Sequence, residues 1–182
     1  MKKYIIVILL IFLNIIFCNS SAFAGQKRWD NPKHINTYIQ PGYGRTELMK
    51  KAFGEWSRLT KDKVIFYYVD SPEKAQIDVQ FGNKILRAEN PSTAGMTKMK
   101  MIGDKMYHAT ILIPLKTSSG LELPKEMVYI SMLHEIGHAL GIQNHSKNPI
   151  NIMYPTASST KKKITKYDLA ELYRIYGWKQ DF

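Results

Sequence analysis

The chain has 182 residues, 45% of them hydrophobic, and a formal net charge of +11. That length and composition suit one domain with a substantial core, and no internal repeat, low-complexity tract or long linker divides it. The lysines are scattered except at 161–163 and no nucleic-acid-binding motif accompanies them. We therefore expect an ordinary soluble basic surface, with contact to anionic surfaces or acidic partners as the alternative, and no nucleic-acid binding.

Residues 1–24 have the order of a secretory signal peptide: a basic start, an apolar run at 4–17 and an A-x-A pattern at 22–24. The apolar run is shorter than a bilayer-spanning helix requires, so we expect cleavage after Ala24 and no stable membrane anchor afterwards. The protein would then be secreted, to the extracellular space or the periplasm. A retained anchor is the alternative.

The one cysteine, Cys18, lies within this predicted signal peptide. Bulky Phe17 precedes it where a lipoprotein signal usually has a small residue, so lipid attachment is not expected. Residues 25–182 contain no cysteine. This predicted mature chain can form no disulfide bond, and it has no thiolate to bind a metal or to act as a nucleophile.

The first half of the mature chain is predicted to contain several strands and one helix. Three segments have the composition or the alternation of strands: 34–40, 63–69 and 75–81. Segment 46–60 is predicted to be a helix because its apolar residues recur along one face, and Thr46 can cap its start. Residues 87–95 contain proline and glycine and are predicted to form a loop.

Two more strands are predicted at 97–101 and 107–114. The first alternates lysine with methionine, which predicts an edge strand whose methionines point inward and whose exposed lysines discourage sheet-to-sheet aggregation. A Cu(I) site made of thioether ligands is the alternative interpretation. Its candidate ligands are Met96, Met99, Met101 and Met106.

Two helices complete the predicted domain. Pro124 suits the start of a largely buried helix that ends at Gly141. Thr165 and Asp168 resemble a capping box at the start of a helix over 165–177. The order strand, helix, several strands, helix, helix predicts the α+β class.

The sequence HEIGH at 134–138 lies in the first of these two helices. His134 and His138 are one helical turn apart, so both lie on one face and can bind one metal ion. Glu135 points to the side of that face, where it can reach a metal-bound water without being a ligand. H-E-x-x-H occurs by chance in helices, so the residues after it decide the interpretation.

Two neighbours, Asn144 and His145, are candidates for the third ligand once Gly141 has ended the helix. A neutral imidazole binds zinc well, whereas an amide oxygen is a weak ligand, so His145 is favoured. Met153 follows in the turn-like sequence 150–156.

The segment 134–155 resembles the metzincin zinc peptidases, and specifically the matrixin family. The family pattern is H-E-x-x-H-x-x-G-x-x-H followed by a methionine-containing turn. Four positions match it residue by residue: His134, Glu135, His138 and Gly141. The third histidine of the pattern would fall at Asn144, whereas this chain has His145, at the family's distance from Met153. One extra residue in the turn, as in bacterial matrixin-like proteins, explains both facts.

The resemblance implies a metzincin-like catalytic domain at 25–182, with a twisted, mostly parallel sheet, an antiparallel edge strand, an active-site helix and a C-terminal helix. It implies one catalytic Zn²⁺ bound by three histidines: His134, His138 and His145. The activity it implies is that of a secreted endopeptidase in which Glu135 activates a zinc-bound water. An extended peptide or protein substrate would pair with the edge near 94–100, and we expect a monomer.

The chain also departs from the family. Without a cysteine in the mature chain, latency by a thiolate–zinc switch is excluded. The histidine and aspartate cluster that gives animal matrixins a second, structural zinc is not recognisable, and the sequence does not reveal whether structural Ca²⁺ is bound. Ala157 stands where the family often has an aromatic residue lining the specificity pocket.

Two other interpretations remain open at this point. In the first, a peptidase of gluzincin type uses a glutamate as third ligand, and Glu171 is the main candidate. In the second, the chain is a basic binding protein of the envelope or host surface that contains a structural zinc. Glu135 disfavours the second, because a closed structural site has no use for a carboxylate beside its metal.

Overall fold

A computed structural model describes residues 27–82, 95–117, 119–156 and 162–182. The strands of these residues are β1 (Arg28–Trp29), β2 (Ile35–Ile39), β3 (Phe66–Tyr68), β4 (Ile77–Gly82), β5 (Met96–Ile102) and β6 (Lys105–Pro114). The α-helices are α1 (Thr46–Leu59), α2 (Lys125–Ala139) and α3 (Lys166–Tyr176). The predicted signal peptide at 1–24 and most of the predicted loop at 87–95 lie outside the described residues.

The strands form one sheet in which four run parallel, in the order β3-β2-β4-β6. β5 pairs with β6 in the antiparallel direction, and within the described part of the chain no strand lies on its other side. β1 adds a short parallel pairing at the start of β6. The predicted α+β fold, with a mostly parallel sheet and an antiparallel edge strand, is confirmed.

Strand β5 carries the predicted alternation of lysine and methionine. Lys98 and Lys100 are exposed, while Met99 and Met101 pack partly buried against the core. The exposed lysines place charge on an edge that could otherwise pair with another sheet.

Helix α2 is held in the core by two buried tryptophans. The indole Nε1 of Trp29, in β1, donates to the carbonyl oxygen of Ala139 at 2.8 Å. The indole Nε1 of Trp56, in α1, donates to the carbonyl oxygen of Leu133 at 3.0 Å. Both bonds satisfy an N–H that burial would otherwise leave without a partner. They fix the part of α2 that carries the H-E-x-x-H sequence against two different elements.

The chain leaves α2 at Gly141, as the sequence predicts. Its φ of +109° lies in a region that side chains with a Cβ rarely adopt, and a Cβ there would collide with the carbonyl oxygen of Lys27. Glycine therefore both ends the helix and lets the N-terminal segment approach it closely.

The capping box at the start of α3 is confirmed, and its acidic residue does more than cap the helix. Asp168 accepts hydrogen bonds from the backbone N–H and the hydroxyl of Thr165, at 2.8 and 2.7 Å. It also accepts the backbone N–H groups of Ile152 and Met153, at 3.3 and 3.2 Å. This buried carboxylate thus ties the turn around Met153 to α3.

Three details of the prediction were wrong. Thr46 does not cap α1: it is the first helical residue, and Arg45 occupies the cap position without a side-chain hydrogen bond. The strand predicted at 63–69 is shorter, at Phe66–Tyr68, because the turn that follows α1 extends to Lys63, whose N–H donates to the Thr60 carbonyl. β1 was not predicted because two residues are too few to show a period.

None of the helices in the described residues is long and apolar enough to cross a membrane.

Candidate metal centre

Three histidine rings meet in the cleft beside α2. Nε2 of His134 lies 3.1 Å from Nε2 of His138, which lies 3.2 Å from Nε2 of His145. Among the described residues, these three form the one group of histidine, cysteine or acidic side chains with the spacing of a metal site. Asn144 is exposed and does not line the cleft. The structure therefore brings His145, and not its neighbour, to the two helix histidines.

Backbone carbonyls set the tautomers of the two helix histidines. Nδ1 of His134 donates to the carbonyl oxygen of Ile152 at 2.7 Å, and Nδ1 of His138 donates to that of Ile142 at 2.6 Å. Burial lowers the pKa of His134 to about 3 and that of His138 to about 4, so both rings are neutral at pH 7. Each Nε2 then carries a lone pair and no proton.

Lone pairs that face each other cannot hydrogen-bond, so this arrangement suits a cation between them. Two ligands of a tetrahedral zinc at about 2.0–2.1 Å are roughly 3.3–3.4 Å apart, close to the separations of the His138 nitrogen from its two neighbours. The hydrogen bonds at Nδ1 are the support that zinc-binding imidazoles usually have in proteins. The donor set therefore fits Zn²⁺.

His145 reaches the site from the loop after α2, and it is the most exposed of the three. Partial burial lowers the pKa of its imidazole, and the nearby charge of Lys162 adds to the effect. Ser146 holds the loop in place: its N–H donates to the carbonyl oxygen of Met153 at 2.7 Å, and its hydroxyl accepts from the Asn151 side chain at 2.8 Å. No sequence pattern indicates that Ser146 and Asn151 pair.

The carboxylate of Glu135 is buried beside the histidines and borders the cleft. Its Oε2 accepts a hydrogen bond from the hydroxyl of Thr97, in β5, at 2.7 Å. Burial raises the pKa of Glu135 to about 7, while the Thr97 hydrogen bond acts in the opposite direction. A Cβ added at Gly95 would lie 2.5 Å from Glu135 Cγ, so only glycine lets β5 begin this close to α2.

Met153 lies under the helix between the two histidine turns. It is buried, and a Cβ added at Gly137 would collide with its sulfur atom. Met153 therefore packs as a core residue against α2, between the positions of His134 and His138.

The cleft has a volume of about 630 Å³. α2 lines it with His134, Glu135 and His138, and β5 forms one wall. Residues 154–156 and Lys162 line it as well. Ala157, at the predicted specificity pocket, lies outside the described residues.

Glu171, the alternative third ligand, is not part of the histidine cluster. Its carboxylate pairs with the Arg174 guanidinium on α3, at 2.6 and 2.9 Å. The interpretation with a glutamate ligand therefore finds no support in the site.

Comparison with known proteins gives one family. The sequence model of the family described as Matrixin matches residues 34–177, which include α2, the loop with His145 and the turn with Met153. None of the curated proteins compared matches the chain. Two similar solved structures are "Structure of myroilysin", 18% identical with a TM-score of 0.45, and "Crystal structure of myroilysin", 12% identical with a TM-score of 0.49.

The two alignments differ in extent. The first covers 65% of this chain and 53% of that myroilysin chain, so this chain spans about half of its length. The second covers 84% of this chain and 86% of the other.

Proposed function

Because this chain belongs to the matrixin family, we propose that it is a secreted zinc endopeptidase that cleaves extended peptides in the cleft beside α2. One observation carries the proposal: three Nε2 lone pairs converge beside the buried carboxylate of Glu135. A structural zinc site needs a fourth protein ligand, and the described histidine, cysteine and acidic side chains supply three. Three ligands leave one position for water or substrate.

The proposed roles follow from the position of each side chain. His134, His138 and His145 would hold Zn²⁺ through Nε2. When bound, zinc supplies a Lewis acid that polarises a carbonyl and lowers the pKa of water towards neutrality. Glu135 would take one proton from the attacking water and later give it to the leaving amine nitrogen. Thr97 would hold the Glu135 carboxylate in place between these two steps.

The free edge of β5 is the proposed binding site for the peptide backbone. Among the described strands, β5 has β6 on one side and no partner on the other, so backbone N–H and C=O groups remain available. An extended peptide can add to such an edge as a further strand. Met96, Thr97 and Met99 line the cleft, which places this edge beside the histidines.

Metal removal tests the proposed activity. Protein comprising residues 25–182 should contain one zinc per chain and should hydrolyse casein or a quenched peptide library. A strong chelator should abolish hydrolysis, and added zinc should restore it. A zinc-loaded, folded protein that cleaves none of these substrates would instead favour a binding protein with a structural zinc.

Export needs a separate test, because its basis is the sequence of residues 1–24 alone. When the full chain is expressed in a bacterial host, N-terminal sequencing of the exported protein should begin at Gly25. Recovery of the uncleaved chain in the membrane fraction would contradict secretion.

A further inference from the structure

Lys162 places a positive charge in the wall of the cleft. Its side chain is buried, and it lines the same cavity as the three histidines. Nζ donates to the carbonyl oxygen of Tyr154 at 3.0 Å and lies 4.9 Å from the centroid of the Tyr154 ring. The ammonium is also close enough to lower the pKa of both His134 and His145. The charge therefore lies near the site of the proposed reaction.

No carboxylate in the described part of the chain neutralises this charge. The ion pairs of the described lysines join other residues, Lys50, Lys61, Lys63, Lys74, Lys105 and Lys116, to acidic side chains. The carboxylate of Glu135 borders the same cavity, but it is held by Thr97. Burial lowers the pKa of the Lys162 ammonium, because the surrounding protein replaces part of its water.

An ammonium has three N–H donors, and one neutral carbonyl together with one ring face compensates only partly for burying its charge. An anion that entered the cleft would supply the missing partner, and a charge-assisted hydrogen bond of this kind is stronger than a neutral one. Peptide substrates carry such an anion as an aspartate or glutamate side chain or as a chain-terminal carboxylate.

We propose that Lys162 is a specificity-determining residue that binds a carboxylate of the peptide substrate beside the cleaved bond. This inference rests on the proposed peptidase function and adds to it a class of substrate: peptides with a negative charge next to the cleavage site. It differs from a general attraction of acidic proteins to a basic surface, because it depends on one buried lysine.

A matched set of peptides tests the proposal. Quenched, C-terminally amidated peptides would form pairs that differ only by glutamate or glutamine at one position flanking the cleaved bond. One further peptide would instead carry its free terminal carboxylate at a flanking position. At one position, zinc-loaded wild-type protein should cleave the glutamate peptide with kcat/KM on the order of 10- to 100-fold above the glutamine peptide. A preference for the peptide with the free terminus would identify the terminal carboxylate as the ligand.

Neighbouring lysines supply the controls. Lys162→Gln and Lys162→Met should remove the preference, Lys162→Arg should retain it, and Lys163→Gln should leave it unchanged, because Lys163 is exposed. Thermal unfolding and zinc content should be measured for each variant, since Lys162 also binds the Tyr154 carbonyl. If wild-type protein cleaves all the peptides within about twofold of each other, or if Lys163→Gln changes selectivity as much as Lys162→Gln does, the proposal is wrong.

A binding measurement separates this proposal from the peptidase activity. Fluorescence anisotropy with the same peptides, on zinc-loaded Glu135→Gln protein with and without Lys162→Gln, reports affinity without cleavage. A glutamate preference that depends on Lys162 supports the carboxylate site even if no variant hydrolyses peptides. Equal affinities for the glutamate and glutamine peptides would overturn it even if hydrolysis is observed.

Discussion

Thr97 holds the Glu135 carboxylate from β5, through a hydrogen bond of 2.7 Å. The two residues lie on different elements, so this bond also connects β5 with α2. A carboxylate that must accept and then release a proton works best when its orientation is fixed.

Removal of the hydroxyl should therefore slow catalysis more than it weakens substrate binding. Thr97→Val keeps the shape and the β propensity of the side chain, and we expect kcat to fall by about tenfold with little change in KM. Thr97→Ser restores the donor and should recover most of the rate. Steady-state kinetics on one quenched peptide would test both variants, and a Thr97→Val protein with wild-type kcat would show that Thr97 has no positioning role.

The third ligand can be tested at two adjacent residues. His145→Ala removes an imidazole from the cluster, so zinc affinity should fall by orders of magnitude. Asn144→Ala alters an exposed side chain in the same loop and should change zinc affinity little. Zinc titration against a competing chelator measures both. A large loss with Asn144→Ala and none with His145→Ala would mean that the neighbouring residue is the ligand.

Among the elements, α3 supports the histidine cluster without contributing a side chain to it. Asp168 caps α3 and accepts the N–H groups of Ile152 and Met153, while the Ile152 carbonyl accepts from Nδ1 of His134. One buried carboxylate is thus connected through a single turn to the orientation of an imidazole in the histidine cluster.

Asp168→Asn should therefore destabilise the fold. The amide keeps the size of the side chain, but it loses the charge that four hydrogen bonds reach and places an NH₂ group among donors. We expect a loss of about 2–4 kcal/mol in the free energy of unfolding, measured by urea denaturation of metal-free protein.

Glu171→Gln is the matched control, because it removes a carboxylate of the same helix. Glu171 pairs with Arg174 at the surface, where an ion pair contributes about 0–1 kcal/mol. An equal loss of stability in the two variants would show that the bonds of Asp168 to the turn have no special importance.

At this scale the sequence predicted what depends on near neighbours. The apolar face of α1, the alternation in β5 and the end of α2 at Gly141 follow from residues a few positions apart. The second role of Asp168 could not be predicted, because its partners Ile152 and Met153 lie in a turn that only the packed structure brings to α3.

In the whole molecule, α2 is the element to which every part of the site is attached. β1 and α1 hold it through Trp29 and Trp56, and the turn around Met153 packs below it. β5 approaches it closely at Gly95. The site therefore depends on the close packing of four separate segments around one helix.

The site was predictable to the extent that its residues lie in one segment. H-E-x-x-H, Gly141 and His145 follow one another along the chain, and a preference of zinc for imidazole was enough to favour His145 over Asn144. Thr97 and Glu135 are far apart in sequence, and nothing local indicates that they meet. The burial of Lys162 is likewise a property of packing, since the sequence shows it only as one of three consecutive lysines.

The central claim is that the protein is a zinc endopeptidase with Glu135 as its base, and Glu135→Gln tests it most directly. Glutamine keeps the size and the helix preference of glutamate, and its amide can still accept the Thr97 hydrogen bond, but it cannot take a proton at neutral pH. The three imidazoles are unchanged, so folding and zinc content should survive.

Wild-type and Glu135→Gln protein, each with zinc content confirmed, should be compared on one quenched peptide. We predict that the rate of hydrolysis by the variant falls by at least about 10²-fold, because a general base typically contributes about 10²- to 10⁴-fold to the rate. Equal hydrolysis by the two zinc-loaded proteins would contradict the role of Glu135, and no hydrolysis by either would contradict the peptidase itself.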